Sequence, residues 1–178
     1  VACVGPALAG RDVLGSAETG SGKTAAFVLP ILQKMASASV ASTIHTPSVL
    51  TITPTRELAL QIADTFERLG QFAEPPPRVL SIIGGASIND QVSVLATGVD
   101  IVVATPGRLL DLLEREALDA SHVHTLVLDE ADKLLDVGFN DELTNELHRW
   151  IVEYKRRLNF HVSTQTLLQR ISEHDSMC

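Results

Sequence analysis

The sequence predicts an α/β domain: a parallel β-sheet with helices on both faces. Three observations carry this. Short runs of apolar and β-branched residues alternate with longer segments whose apolar residues recur at helical spacing. One of the short runs feeds a glycine-rich stretch, Ala17-Glu18-Thr19-Gly20-Ser21-Gly22-Lys23-Thr24, which opens onto an apolar helical run. The other polar segments of note each follow a predicted strand, and a parallel sheet gathers such segments at its carboxyl edge, where ligands bind.

Taken in order, Val13 to Ala17 reads as a short strand entering the glycine-rich stretch, and Lys23 to Met35 as the helix after it, bent or ended by Pro30. Ala36 to Pro47 is a loop of Ser, Ala and Thr. Val49 to Thr53 reads as a strand. Thr55 can cap a helix to about Ala73, with Leu58, Ile62, Phe66 and Leu69 on its apolar face. After Pro75-Pro76-Pro77, Arg78 to Ile83 reads as a third strand ending at Gly84-Gly85. Ser87 to Leu95 is a short helix and Asp100 to Ala104 a fourth strand. Pro106 opens a helix to about Ala117, where its missing N–H costs nothing. Thr125 to Leu128 is a fifth strand, buried in character. Asn140 to Leu158 is an amphipathic helix with Leu143, Leu147, Trp150, Ile151 and Tyr154 on one stripe, and Thr164 to Leu168 a last strand.

A length of 178 residues suits one domain, and 45% hydrophobic with 20% charged residues is a globular rather than a disordered composition. The net charge of −8 excludes a basic nucleic-acid coat, so any contact with nucleic acid must be local. Cys3 and Cys178 have no metal-ligand spacing and read as free thiols. The longest apolar run, Thr24 to Leu32, is too short to span a bilayer, and Val1 to Gly10 lacks a basic leader. These features lead us to expect a soluble intracellular protein, with Val1 to Gly10 as the cut edge of a longer chain.

The chemistry begins at Gly20-Ser21-Gly22-Lys23-Thr24. Glycines let the backbone turn tightly and bring successive N–H groups onto one anion, reinforced by a helix N-terminus. Lys23 would reach terminal phosphates, and the Thr24 hydroxyl would ligate Mg²⁺, as in a Walker A loop whose first Gly is here Ala17. The second signal is Leu126-Val127-Leu128-Asp129-Glu130-Ala131-Asp132, an apolar strand that delivers adjacent acids to the same edge. Asp129 is placed to hold Mg²⁺, and Glu130 to orient and deprotonate an attacking water.

With Pro54-Thr55-Arg56-Glu57-Leu58, Gly84-Gly85 and Thr105-Pro106-Gly107-Arg108, these motifs occur in an order that closely resembles the first RecA-like domain of DEAD-box RNA helicases, over roughly Ala9 to Leu168. The resemblance implies a RecA-like P-loop fold and an ATP-dependent RNA helicase. It implies that Ala17, Glu18, Thr19, Gly20, Ser21, Gly22, Lys23 and Thr24 bind ATP and Mg²⁺. Lys23, Asp129 and Glu130 would be catalytic, with Thr24 and Asp129 on the metal. Asp132 would link the nucleotide site to the RNA side. Pro54, Thr55, Arg56, Glu57, Gly84, Gly85, Thr105, Pro106, Gly107 and Arg108 would grip the RNA backbone without reading sequence.

The resemblance also defines departures. The upstream glutamine motif that reads adenine is expected to precede Val1. The tail from Gln169 does not continue as Ser-Ala-Thr and reads as divergent sequence, and the second RecA-like domain is not in this chain. The isolated chain is therefore expected to bind ATP weakly, hydrolyse little and unwind nothing, since an arginine finger contributes on the order of 10³ or more. The alternatives are a nucleotide- or RNA-binding module without turnover, and another P-loop NTPase class, against which the Thr105 and Asp129 motifs argue. The histidines, His122 and His124 included, read as structural, Trp150 and Tyr154 as core, and Lys155-Arg156-Arg157 as a solvated helix end.

Overall fold

A computed structural model describes residues 3–16, 20–37, 46–134 and 141–157. Four strands form one sheet: β1 (Val49–Ile52), β2 (Val79–Ile82), β3 (Ile101–Ala104) and β4 (Thr125–Leu128). They lie in the order β2-β3-β1-β4, all parallel. In register, Val49 stands beside Ile101 and Thr125, and Val79 beside Ile101. The helices are α1 (Val4–Leu8), α2 (Lys23–Ser37), α3 (Arg56–Gly70), α4 (Ile88–Thr97), α5 (Pro106–Glu114), α6 (Ala131–Leu134) and α7 (Asp141–Arg157).

Alternation along the strands makes two cores, because successive side chains point to opposite faces. On one face Leu50, Ile52, Ile82, Val102 and Ala104 pack with Leu95 of α4, Leu109 and Leu112 of α5, and Leu147 and Ile151 of α7. On the other, Val49, Ile101 and Val103 pack with Val28 and Ile31 of α2 and with Ala59, Ile62 and Phe66 of α3. The predicted helices on both faces are thus present. Trp150 packs against the first core, as its place on the apolar stripe suggests.

Local chemistry explains the boundaries. The Thr55 hydroxyl accepts a bond from the Leu58 amide at 3.3 Å, and the Ser87 hydroxyl one from the Asp90 amide at 3.3 Å, so both helices start on side-chain caps. Pro106 occupies the first turn of α5. That helix stops at Glu114, short of Ala117, because Glu116 turns into the left-handed region at φ 53°. Helix α2 runs on past Pro30 to Ser37, so the proline does not end it.

Helix α3 ends at Gly70, before Ala73, where the chain folds back closely. A Cβ on Gly70 would lie 2.7 Å from Cγ and 2.9 Å from Cδ of the Pro77 ring. Gly70→Ala should gain up to about 1 kcal/mol of helix propensity. Overpacking against a rigid ring costs about 1–3 kcal/mol. The net expectation is a loss of about 1 kcal/mol, read as a lower midpoint in urea unfolding; a raised midpoint would refute the close approach.

Three expectations fail. Residues 11–16 form no strand, and Leu14 is 77% exposed; two apolar residues between Asp12 and Gly15 are too few to bury a face. Strand β4 is half-buried along its length, since it pairs on one side only among the described residues, whereas β1 and β3 are central and fully buried. Helices α1 and α6 were not expected; each is a single turn or little more. The expected strand Thr164–Leu168, the divergent tail, Cys178 and the side chains of Leu143, Tyr154 and Lys155-Arg156-Arg157 lie outside the described residues.

The amino edge of the sheet is fastened by Arg78 and Asp100, which precede β2 and β3. The Asp100 carboxylate accepts from the Arg78 amide at 2.8 Å and from its guanidinium at 3.0 and 2.8 Å. Burial is the largest single influence on the Asp100 carboxyl and pushes it up, but the guanidinium, amide and charge of Arg78 together hold it below the usual carboxylate range. A lowered folded value means stability that is present above the unfolded pKa, near 4, and lost as pH falls through the folded value. Asp100 is 21% exposed, so Asp100→Asn should cost about 1–2 kcal/mol at neutral pH. The difference from the unaltered chain should shrink below about pH 4 in denaturant titrations. A difference independent of pH would exclude the ion pair as its cause.

Candidate functional site: the carboxyl edge of the sheet

The ladder runs on beyond the strands. The amide of Thr53 donates to Ala104 O at 3.0 Å, that of Thr105 to Ile82 O at 3.0 Å, and that of Asp129 to Ile52 O at 2.9 Å. These bonds fix the segments that follow β1, β3 and β4 at one edge. Across it lie, in strand order, Gly84-Gly85, Thr105 to Arg108, Pro54 to Glu57, and Asp129-Glu130. Neighbouring strands are about 4.8 Å apart, so the whole row spans roughly 14 Å.

At the β4 end are the acids. Asp129 is half-buried, and burial is the main reason its carboxyl is pushed up. The Glu130 amide pulls it down, the Glu130 charge pushes it up, the Lys23 ammonium pulls it down and Asp132 pushes it up. Lys23 and Asp129 therefore feel one another across the edge, although 106 positions separate them in the sequence. A divalent cation would favour the ionised carboxylate in the same way, and more strongly. Glu130 takes φ 50°, the left-handed region, and its carboxylate meets Lys133 Nζ at 2.8 Å. Asp132 is exposed in the first turn of α6.

The glycine-rich loop is described from Gly20; Ala17, Glu18 and Thr19 lie outside the described residues. Gly20 and Gly22 take φ 79° and 85°, and a Cβ on either would meet nothing within 4 Å, so the backbone faces open space. Lys23 and Thr24 are the first residues of α2, whose first turn carries no acid to compete with an anion at its amide end. Among the described residues no three His, Cys, Asp or Glu side chains gather to hold a metal by themselves. The donor set fits instead an ion shared between one or two protein oxygens and a substrate's phosphates, which is how Mg²⁺ is commonly held. The sequence assigns Asp129 and the Thr24 hydroxyl to such an ion.

On the other side of the row the structure brings three segments together. The Arg56 guanidinium lies over Gly84 and Gly85: a Cβ on Gly85 would be 3.1 Å from Arg56 Cζ, and one on Gly84 3.3 Å from Arg56 Nη2. Gly85 sits at φ 81°. Arg108 donates through Nη1 to Ala86 O at 3.1 Å, and its Nε lies 3.9 Å from Asp111. Arg56, Glu57, Gly85 and Gly107 are exposed, while Pro54, Thr105 and Pro106 are buried and shape the backbone. Gln91 and Asp111 were missed by the sequence reading. A polar residue on the apolar spacing of α4 was the available signal for Gln91.

Elsewhere, His122 and His124 make local contacts, whereas His148 Nε2 is buried with no hydrogen-bond partner. His122 Nδ1 lies 2.9 Å from Ser121 Oγ and His124 Nδ1 3.2 Å from Thr125 Oγ1, and burial, then Lys34, lowers the His124 pKa. Cys3 is a free thiol. No helix among the described residues is long and apolar enough to cross a membrane.

Comparison with known proteins agrees with this geometry. The DEAD/DEAH box helicase family model matches residues 2–169. The chain is 45% identical over 168 residues to the ATP-dependent RNA helicase DeaD of Mycobacterium tuberculosis, covering 94% of this chain and 29% of that protein. It is 42% identical over 165 residues to the DEAD-box ATP-dependent RNA helicase CshA of Streptococcus pneumoniae, covering 93% and 30%. The chain thus spans under a third of these relatives' length. The crystal structure of the yeast DEAD-box splicing factor Prp28 matches with a TM-score of 0.69 at 46% identity, covering 76% of this chain and 32% of that one. With a parallel sheet of the RecA-like kind and a family match along almost its whole length, the chain belongs to the DEAD/DEAH box helicases.

Proposed function

We propose that this chain is the nucleotide-binding part of an ATP-dependent RNA helicase, hydrolysing ATP with Mg²⁺ and gripping RNA by its backbone. The observation that carries the reading is the division of one sheet edge. Lys23, Asp129 and Glu130 stand toward its β4 end, and Arg56, Gly84, Gly85 and Arg108 toward its β2 end.

In this reading the loop amides, Lys23 and Thr24 hold the phosphates, with Ala17, Glu18 and Thr19 completing the loop. Thr24 and Asp129 hold the metal. When bound, Mg²⁺ offsets the charge that builds up on the transferred phosphoryl group. Glu130 takes the proton of the attacking water, and its divergence from Asp129 at φ 50° separates the two acids' tasks. Asp132, next to both acids, relays the state of the nucleotide side. Arg56 and Arg108 supply charged donors, and the turns at Gly84-Gly85 and Gly107 bring backbone amides close to phosphates, contacts that follow shape and not sequence. Pro54, Thr55, Glu57, Thr105 and Pro106 set the course of that backbone. An intracellular place goes with such a substrate.

Phosphate release from ATP, measured with and without Mg²⁺ and single-stranded RNA, tests the reading. Mg²⁺-dependent release that rises with RNA supports it. Nucleotide binding with no release at any RNA concentration would favour a binding module. No nucleotide binding would refute both.

A further inference from the structure

Helix α4 presents Ile88, Gln91, Val92 and Leu95 at the spacing of one helix face. Ile88, Val92 and Leu95 pack against the first core, and Gln91, only 5% exposed, stands among them. An aliphatic residue of similar size would suit this position, yet a primary amide occupies it. Its Nε2 donates to Ile83 O at 3.0 Å, and its Oε1 is buried with no hydrogen-bond partner. The side chain thus spends one end on a single carbonyl and leaves the other unsatisfied. A residue serving only the core is not built this way.

The carbonyl it holds is the one immediately before Gly84-Gly85. The carbonyl just after them, Ala86 O, is held by Arg108 from α5. Between these two anchors Gly85 takes φ 81° and the Arg56 guanidinium lies over both glycines. The turn is therefore pinned on each flank by a side chain from a different helix, and capped by a third.

We infer that Gln91 is a positioning residue for nucleic-acid binding: it fixes the Gly84-Gly85 turn so that the glycine amides and Arg56 face an RNA backbone together. The inference rests on the RNA reading of this edge. Gln91 touches no RNA itself and acts through Ile83. It is also remote from Lys23 and Asp129, since β2 and β4 are the two outer strands of the sheet.

The full chain and the variants Gln91→Met, Gln91→Glu and Arg56→Ala test this by three measurements. These are anisotropy of a fluorescein-labelled oligouridine strand, fluorescence of a labelled ATP analogue with Mg²⁺, and thermal unfolding. Gln91→Met fills the same volume without a donor, and should weaken RNA binding about five- to tenfold, the worth of about one hydrogen bond. Nucleotide affinity should not change, and the unfolding temperature should fall only slightly, because loss of the orphaned Gln91 Oε1 offsets much of the cost of leaving Ile83 O unpaired. Gln91→Glu keeps the shape but replaces the donor with an acceptor, and should lose RNA affinity at least as much. A Gln91→Met variant that keeps its RNA affinity overturns the inference, whether or not it is less stable. So does a variant whose RNA and nucleotide affinities fall together. Should the unaltered chain bind no oligouridine, or Arg56→Ala bind it equally well, the RNA reading fails and this inference with it.

Discussion

Glu130→Gln is expected to slow Mg²⁺-dependent ATP turnover by about 10²–10⁴-fold, with nucleotide affinity changed by no more than about threefold. The substitution keeps shape and hydrogen-bonding reach but removes the basic oxygen. Glu130 directly follows Asp129, and in an extended strand consecutive side chains would point to opposite faces. Here the strand has already ended, and φ 50° at Glu130 turns the chain at the edge. A side-chain-bearing residue in that conformation costs on the order of 1 kcal/mol, a strain of the kind met at functional turns. The ion pair with Lys133 is solvent-facing, and such pairs contribute little, so Glu130 can leave it for a water beside the γ-phosphate at little cost. Single-turnover phosphate release at saturating ATP and RNA gives the rate, and titration of a labelled ATP analogue gives the affinity. An undiminished rate would reduce Glu130 to a turn residue.

Much of the frame was legible because its causes are local. The strand Thr125 to Leu128 was read with its observed limits, since a run of four apolar or β-branched residues ends at two acids. Thr55 was recognised as a cap from residue type and position, and its hydroxyl does accept the Leu58 amide. Cap and period are properties of a few neighbouring residues. What escaped was the meeting of distant segments. Nothing local in Arg56 shows its place: Glu57 is adjacent, but adjacent residues on a helix do not face each other, and the guanidinium lies over glycines 28 and 29 positions away. Gln91 looked like one polar residue in a short helix until its amide was found against Ile83 O. Nor does any local pattern in Arg78 or Asp100 announce that they fasten two parallel strands at the far edge. The segment before Gly20 shows the converse: a short apolar pair such as Val13-Leu14 is too little apolar surface to make a strand.

Lys23→Ala should weaken ATP binding by about 10–100-fold, the worth of a charge-assisted hydrogen bond of about 1.5–3 kcal/mol. The loop cannot offset the loss. Its glycines offer only neutral amides, and the carboxylates of Asp129, Glu130 and Asp132 repel a polyphosphate unless cations intervene. The Lys23 ammonium also acts on Asp129, so its removal lets the Asp129 carboxyl rise further. The lost phosphate contact lowers affinity for the magnesium-bound nucleotide. Lys34, exposed in the last turn of α2, provides the contrast. It carries the same charge on the same helix, at the end away from the loop, and Lys34→Ala should leave affinity within about twofold, because exposed charges beyond a Debye length are screened. Equal losses for the two variants would mean that net charge, not the loop, governs binding. An unchanged affinity in Lys23→Ala would remove the nucleotide from this edge of the sheet.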